Sequence, residues 1–269
     1  MVIITNLGNR LGNTVNKVLQ PFGLQIAANV PFLDRIPDLT DSEKNILLTC
    51  SRFSMASQER LLSTFLACKY VVQNDIPGDF VECGVWRGGN AFLAKKVFAM
   101  LNSPRNVWLF DTFTGMTKPT SHDKFASSNE PASSKYDASL RADFVDWCYA
   151  SLEDVQLNTL ELFGSLDGFI FVQGDVTETL DIPSNLPESI SVLRLDTDWY
   201  ESTRKELQIL YPRLGVGGVL IIDDYGYWEG ARLAVDEYFA DLSSRPLLVP
   251  VDETGRVALK IGERRERDE

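Results

Sequence analysis

Five short apolar runs, at 79–83, 106–111, 169–172, 190–195 and 218–222, constrain this chain more than any other feature. Each is the length of a buried strand, and each ends near a glycine or an acid rather than running on for the ten or more residues a buried helix needs. Helical spacing fills several of the gaps, at 90–100, 202–214 and 231–242. Strand, turn, helix and strand in succession imply a right-handed crossover and a parallel sheet. The expected architecture is an open, mostly parallel α/β sheet with helices on both faces. Two further short runs, 246–249 and 256–260, read as a closing hairpin, and apolar residues over 41–73 recur mostly at helical spacing, with Ser57 as a plausible helix start.

Composition narrows what such a sheet can serve. The 269 residues suit one large domain or a domain with an appendage, and 26 Lys and Arg against 38 Asp and Glu leave a net charge of −12. That acidic excess repels phosphate backbones, and no basic patch offsets it, so no nucleic-acid partner is expected. No apolar run approaches the ~20 residues that span a bilayer, and the first residues lack a signal-peptide pattern, so no membrane partner is expected and the location is expected to be cytoplasmic. Cys50, Cys68, Cys83 and Cys148 form no CxxC pair, which fits a reduced compartment and no zinc site. His122 is the single histidine, so a His-ligated metal or a Ser-His-Asp triad would have to be built around it. Any metal is better matched by carboxylates.

Three groups of residues could carry chemistry. The first run ends Glu82-Cys83-Gly84-Val85-Trp86-Arg87-Gly88-Gly89, a glycine-bearing turn where open α/β sheets bind ligands. Its spacing is not G-x-G-x-x-G, which counts against a dinucleotide. Asp111 ends the next run, where a carboxylate can accept ribose hydroxyls, and Asp175 after the third could receive an adenine amino group; each could equally be a strand-end or turn residue. The third group is the densest: Asp196 and Asp198 close one run, Asp223 and Asp224 another. Four carboxylates at neighbouring strand ends repel one another unless a cation joins them, and oxygen ligands alone select magnesium, manganese or calcium. The competing reading, that they cap the following helices, accounts for one or two of them.

Residues 78–89, Asp111-Thr112-Phe113-Thr114-Gly115-Met116, the stretches 193–203 and 210–214, and Gly217-Gly218 through Gly226 resemble the macrocin O-methyltransferase (TylF-type) family, over about residues 55–240. The resemblance implies a Rossmann-like class I methyltransferase fold and a magnesium-dependent O-methyltransferase that takes its methyl from S-adenosylmethionine. The acceptor it implies is a hydroxyl of a sugar or related natural-product scaffold, with a vicinal diol as the expected chelating form. It implies that Asp196, Asp223 and Asp224 hold the metal and that Asp198 is the general base. Cofactor contacts are expected at Glu82, Gly84, Val85, Trp86, Arg87, Asp111, Thr112, Asp175, Val176 and Asp196. Thr112 and Cys83 depart from the common family residues without removing a charged group. The expected organisation is an N-terminal extension at 1–54, a methyltransferase domain at 55–262 with a lid insertion near 114–165, and a charged tail at 263–269; within the insertion, residues 140–163 read as helical. The extension would pack on the domain or on a second subunit, the basis for expecting a homodimer. Two other functions remain open here: an NAD-linked oxidoreductase, which has no use for the four acids, and a non-catalytic cofactor- or sugar-binding module. Trp199, Tyr200, Tyr225, Tyr227 and Trp228 flank the acids and could line an acceptor pocket or pack in the core.

Overall fold

The computed structural model describes residues 31–262 and the backbone of 2–5 and 25–28; the tail at 263–269 and much of the extension lie outside the described residues. The chain divides into two compact units, 1–44 and 45–269. In the first, strands β1 (Val2–Thr5) and β2 (Gln25–Ala28) pair in parallel, and a 3₁₀ turn spans Phe32–Arg35.

The helical pattern over 41–73 resolves into two helices, α1 (Asp41–Ser51) and α2 (Gln58–Gln73), rather than one stretch. Ser57 restarts the helix: its hydroxyl accepts the backbone N–H of Arg60 at 3.1 Å, satisfying one of the four orphan donors of a first turn. The sheet then follows in the predicted order, with β3 (Asp79–Cys83), helix α3 (Gly89–Met100) and β4 (Val107–Asp111). After the insertion come β5 (Phe169–Gln173) and β6 (Ile190–Leu195), then β7 (Leu214–Ile222) and the short closing strands β8 (Val249–Pro250) and β9 (Arg256–Leu259). Their order across the sheet is β5-β4-β3-β6-β7-β9-β8, with β9 antiparallel to both its neighbours. The chain leaves β3 towards one edge and β6 towards the other, so the topological switch point lies between the carboxyl ends of β3 and β6.

Alternation along the strands builds the core. Val81 and Cys83 of β3, Leu193 and Leu195 of β6, and Leu220 and Ile222 of β7 point to one face, where they pack with Leu207, Val235 and Phe239. Beyond α3 the helices are α4 (Ser133–Ser139), α5 (Leu152–Phe163), α6 (Val176–Thr179), α7 (Tyr200–Ile209) and α8 (Glu229–Ala240); Leu207 comes from α7, and Val235 and Phe239 from α8. Helix α7 stops earlier than the pattern at 202–214 suggests, because Pro212 has no amide hydrogen to continue it and a 3₁₀ turn, Tyr211–Arg213, takes over.

The insertion is folded and packed, and its helix is shorter than its apolar spacing predicts. Only Leu152–Phe163 is helical in the second half; residues 140–150 form turns closed by a Leu140–Val145 bridge. The insertion is pinned across the sheet's carboxyl edge by backbone bonds from Ala126 to Tyr227 and from Glu229 to Lys124, at 2.9 and 3.0 Å. Trp147 from the insertion meets Trp199 and Trp228 at ring-centroid distances of 5.6 and 6.0 Å. Buried aromatics of this size contribute large apolar area, which holds the insertion in place.

Candidate active site

Two clefts open at the carboxyl ends of β3 and β6, and they share a wall. The first encloses about 650 Å³ and runs past Gly84, Asp111, Thr112, Asp175 and Val176. The second, of about 1060 Å³, runs past Arg60, Glu82, Asn90, Lys135, Trp147, Asp223, Asp224, Tyr227 and Trp228. Met55, Trp86, Cys148, Asp196 and Asp198 line both. Three of these wall residues, Trp86, Cys148 and Asp198, hold left-handed backbone, with φ of +46°, +51° and +70°. Such strain in non-glycine residues persists only where surrounding structure enforces it, and it gathers at functional sites.

The first cleft exists because Gly84 lets the chain turn against β6. Its φ is +82°, and a Cβ there would overlap the carbonyl oxygen of Asp196. Asp111 ties the two turns together: its Oδ2 accepts the backbone N–H of Val85 at 2.7 Å and of Trp86 at 3.2 Å, and its Oδ1 accepts that of Phe113 at 2.8 Å. Burial nevertheless pushes its pKa up, against the lowering effect of those amide donors. Asp175 caps α6 by accepting the Thr177 N–H at 2.8 Å, so the cap reading holds for this acid.

The other expected cofactor contacts lie elsewhere. Glu82 faces the second cleft and accepts from Arg194 Nη1 at 2.8 Å. Val85 also lies on the second cleft, although its amide binds Asp111. Arg87 lines neither cleft; it pairs with Asp154 of α5 at 2.8 Å. Among the aromatics that flank the acids, Tyr227 and Trp228 do line the second cleft. Tyr200 and Tyr225 instead bond Glu237 and Asp236, and Trp199 donates to the Thr117 carbonyl. His122 stacks on Tyr200 at 4.6 Å, outside both clefts.

The four acids divide into three and one. Asp196, Asp198 and Asp224 each bring an oxygen within 4.8 Å of the others. Asp198 does not cap α7: its neighbour Trp199 is the N-cap without a side-chain bond, and the Tyr200 N–H is taken by Asp123 of the insertion at 2.8 Å. Desolvation raises the pKa of all three, to about 7 for Asp198, and their mutual repulsion adds to it. Asp224 is buried, with an Oδ2 that finds no hydrogen-bond partner. An orphaned buried carboxylate oxygen beside two more carboxylates matches what a hard cation requires, so the donor set fits magnesium. Asp223 stands apart, with its two oxygens held by Arg194 and Arg60.

Arg194 is the residue whose role sequence reasoning missed. It sits mid-strand in β6, opposite Glu82, and strand alternation puts it on the same face as Asp196 and Asp223. Its guanidinium bonds Glu82 and Asp196 at 2.8 and 2.6 Å and Asp223 as well, with 1% exposure of its side chain. A signal was available: an arginine inside the apolar run 190–195 must be buried, and a buried charge must be paired. Cys148 and Glu206 left no comparable mark. The Cys148 thiol is pushed up to about 12 by burial and is therefore a poor nucleophile. Glu206 is fully buried, pushed up to about 8 by desolvation, and accepts the Thr197 hydroxyl at 2.8 Å.

The family model for macrocin-O-methyltransferase (TylF) matches residues 48–258. The demethyldecarbamoylnovobiocin O-methyltransferase of Streptomyces niveus is 33% identical over 204 residues, covering 75% of this chain and 73% of that protein. A tetracenomycin-pathway enzyme of Streptomyces olivaceus, an 8-demethyl-8-(2,3-dimethoxy-alpha-L-rhamnosyl)-tetracenomycin-C 4'-O-methyltransferase, is 34% identical over the same length, covering 75% and 73%. Among solved structures, the O-methyltransferase NovP superposes with a TM-score of 0.67 at 29% identity, covering 78% of this chain and 83% of that one. The calicheamicin methyltransferase CalS11 shares the fold at a TM-score of 0.54 and 18% identity, covering 87% and 98%. No helix among the described residues is long and apolar enough to cross a membrane.

Proposed function

The chain belongs to the macrocin-O-methyltransferase (TylF) family and is an O-methyltransferase, and from that premise we propose that it methylates a sugar hydroxyl of a glycosylated small molecule. S-adenosylmethionine is the donor in this reading and occupies the first cleft; the acceptor occupies the second. The observation that carries it is the wall of Asp196 and Asp198 common to the two clefts, because donor methyl and acceptor oxygen must meet there. The relatives are named for O-methylation of demethyldecarbamoylnovobiocin and of a rhamnosyl tetracenomycin, and the second name supports a glycoside as acceptor.

Asp196 and Asp224 are assigned to hold magnesium, with Asp223 joining them once it is released from arginine. Bound there, magnesium supplies Lewis acidity that lowers the pKa of an acceptor hydroxyl, most effectively for a vicinal diol. Asp198 takes the hydroxyl proton on its carboxylate. The acceptor oxygen attacks the sulfonium methyl in line, forming the C–O bond as the C–S bond breaks, and S-adenosylhomocysteine leaves with the electron pair. Tyr227, exposed on the second cleft, offers an apolar face to a sugar ring, and the buried Trp147 and Trp228 behind it keep water from the transfer. Asp111, through the backbone of Val85 and Trp86, keeps the donor cleft open.

The test is transfer of labelled methyl from S-adenosylmethionine to a panel of deoxysugar glycosides and their aglycones. A methyl ether on a glycoside sugar is expected. Methylation confined to aglycones, or absent from every hydroxyl while NADH binds in the first cleft, would overturn the reading.

A further inference from the structure

Arg60 has no part in the reaction described above, yet it is paired directly with one of the four strand-end acids. It comes from the first turn of α2, lines the second cleft, and retains 20% side-chain exposure. Its Nη1 holds Asp223, and its Nε holds Asp252 at 2.9 Å. Asp252 is itself anchored by the Ser57 hydroxyl at 2.7 Å and by the backbone N–H of Gly255 at 2.7 Å. Arg60 therefore keeps one firm anionic partner whatever Asp223 does. Asp223 keeps Arg194 on its other oxygen.

The consequence is a contest for one carboxylate. Asp223 follows the end of β7 beside Asp224, whose own oxygen lies in the three-carboxylate group. It is the only one of the four strand-end acids absent from that group, and the guanidinium of Arg60 occupies the oxygen not already given to Arg194. The field of Arg60 also reaches Asp196 and Asp224, which hold its proton more tightly. A positive charge so placed opposes a second cation twice: it repels the ion directly, and it withholds a ligand.

We propose that Arg60 is a placeholder cation that holds Asp223 in the metal-free enzyme and sets the affinity of the site by yielding that carboxylate to the ion. Arg60 is then a positioning residue in the second cleft, anchored on Asp252. The inference rests on the metal site assigned under Proposed function, and its test separates the two.

The experiment is manganese titration of metal-stripped protein, followed by electron paramagnetic resonance and calorimetry, in the wild type, Arg60→Gln, Arg60→Lys and Asp224→Asn. Arg60→Gln is expected to bind manganese about tenfold more tightly, since loss of one nearby positive charge is worth at least that at an effective dielectric near 20. Arg60→Lys, which keeps the charge but not the fork that bridges Asp223 and Asp252, should fall between the wild type and Arg60→Gln. A merely structural arginine would give the opposite sign, a weaker site in Arg60→Gln. Unchanged or weaker binding in Arg60→Gln, with Asp224→Asn strongly impaired, overturns the placeholder role alone. Wild-type binding by Asp224→Asn overturns the metal site beneath it. If Arg60→Gln does not fold, wild-type crystals grown with and without manganese decide the matter. The Asp223–Arg60 pair should be broken only when the ion is present, and a pair that survives beside a bound ion refutes the proposal.

Discussion

Asp198 shows how a single position can be prepared for base chemistry. An aspartate in water, with a pKa near 3.9, is a feeble base towards an alcohol. Here removal from water pushes Asp198 up to about 7, with Asp196 and Asp223 adding repulsion. As the proposed base it acts in its ionised form, so turnover is expected to be lost as pH falls through its pKa. A dication beside it stabilises the ionised form, so the acid limb of the magnesium-saturated kcat profile is expected below pH 7. Asp198→Asn should reduce kcat by ~10²–10⁴-fold and leave S-adenosylhomocysteine affinity near that of the wild type. Stopped assays across pH, with calorimetry of the bound product, check both statements; a variant with normal turnover would remove Asp198 from the mechanism. Gly84 makes the complementary point about space. Gly84→Ala sets a side chain against the Asp196 carbonyl at a φ of +82°, and S-adenosylhomocysteine binding should weaken by at least about tenfold.

At the scale of elements, the insertion is held in place by specific bonds. Asp123 is fully buried, accepts the Thr120 backbone N–H at 2.6 Å and its hydroxyl at 2.9 Å, and reaches across to cap α7 through the Tyr200 N–H. Asp123→Ala leaves those donors unpaired and should cost about 2 kcal/mol, lowering Tm by roughly 5 °C. Thermal denaturation monitored by circular dichroism measures it; an unshifted Tm would mean the insertion is not anchored there. Strand β6 carries the matching constraint beneath the clefts. Arg194→Met strands Glu82 as a buried carboxylate and leaves Asp223 with Arg60 alone, and should cost about 3–5 kcal/mol, read from urea unfolding.

At the scale of the whole molecule, the sheet was legible because its signal is local. Short apolar runs ending in acids specify strand ends, and the residues at those ends, Gly84, Asp111, Asp175, Asp196 and Asp224, do converge on the two clefts. What escaped is what depends on register and on distance in the chain. Glu82 reads as a turn acid, but pairing of β3 with β6 sets it opposite Arg194 and away from the donor cleft. Asp123 lies 77 positions before the helix it caps, and no periodicity links the two. Residues 140–150 have helical apolar spacing, yet Val145 and Trp147 serve the aromatic cluster from turns, because tertiary packing outweighs weak helical propensity.

The proposed methyl transfer needs a divalent ion on the carboxylates at the wall shared by the two clefts. Methyl transfer by EDTA-stripped enzyme, before and after magnesium is restored, tests it most directly. Wild-type activity should fall to background in EDTA and return with magnesium, and in Asp224→Asn it should not return. Undiminished methyl transfer in EDTA would contradict the account.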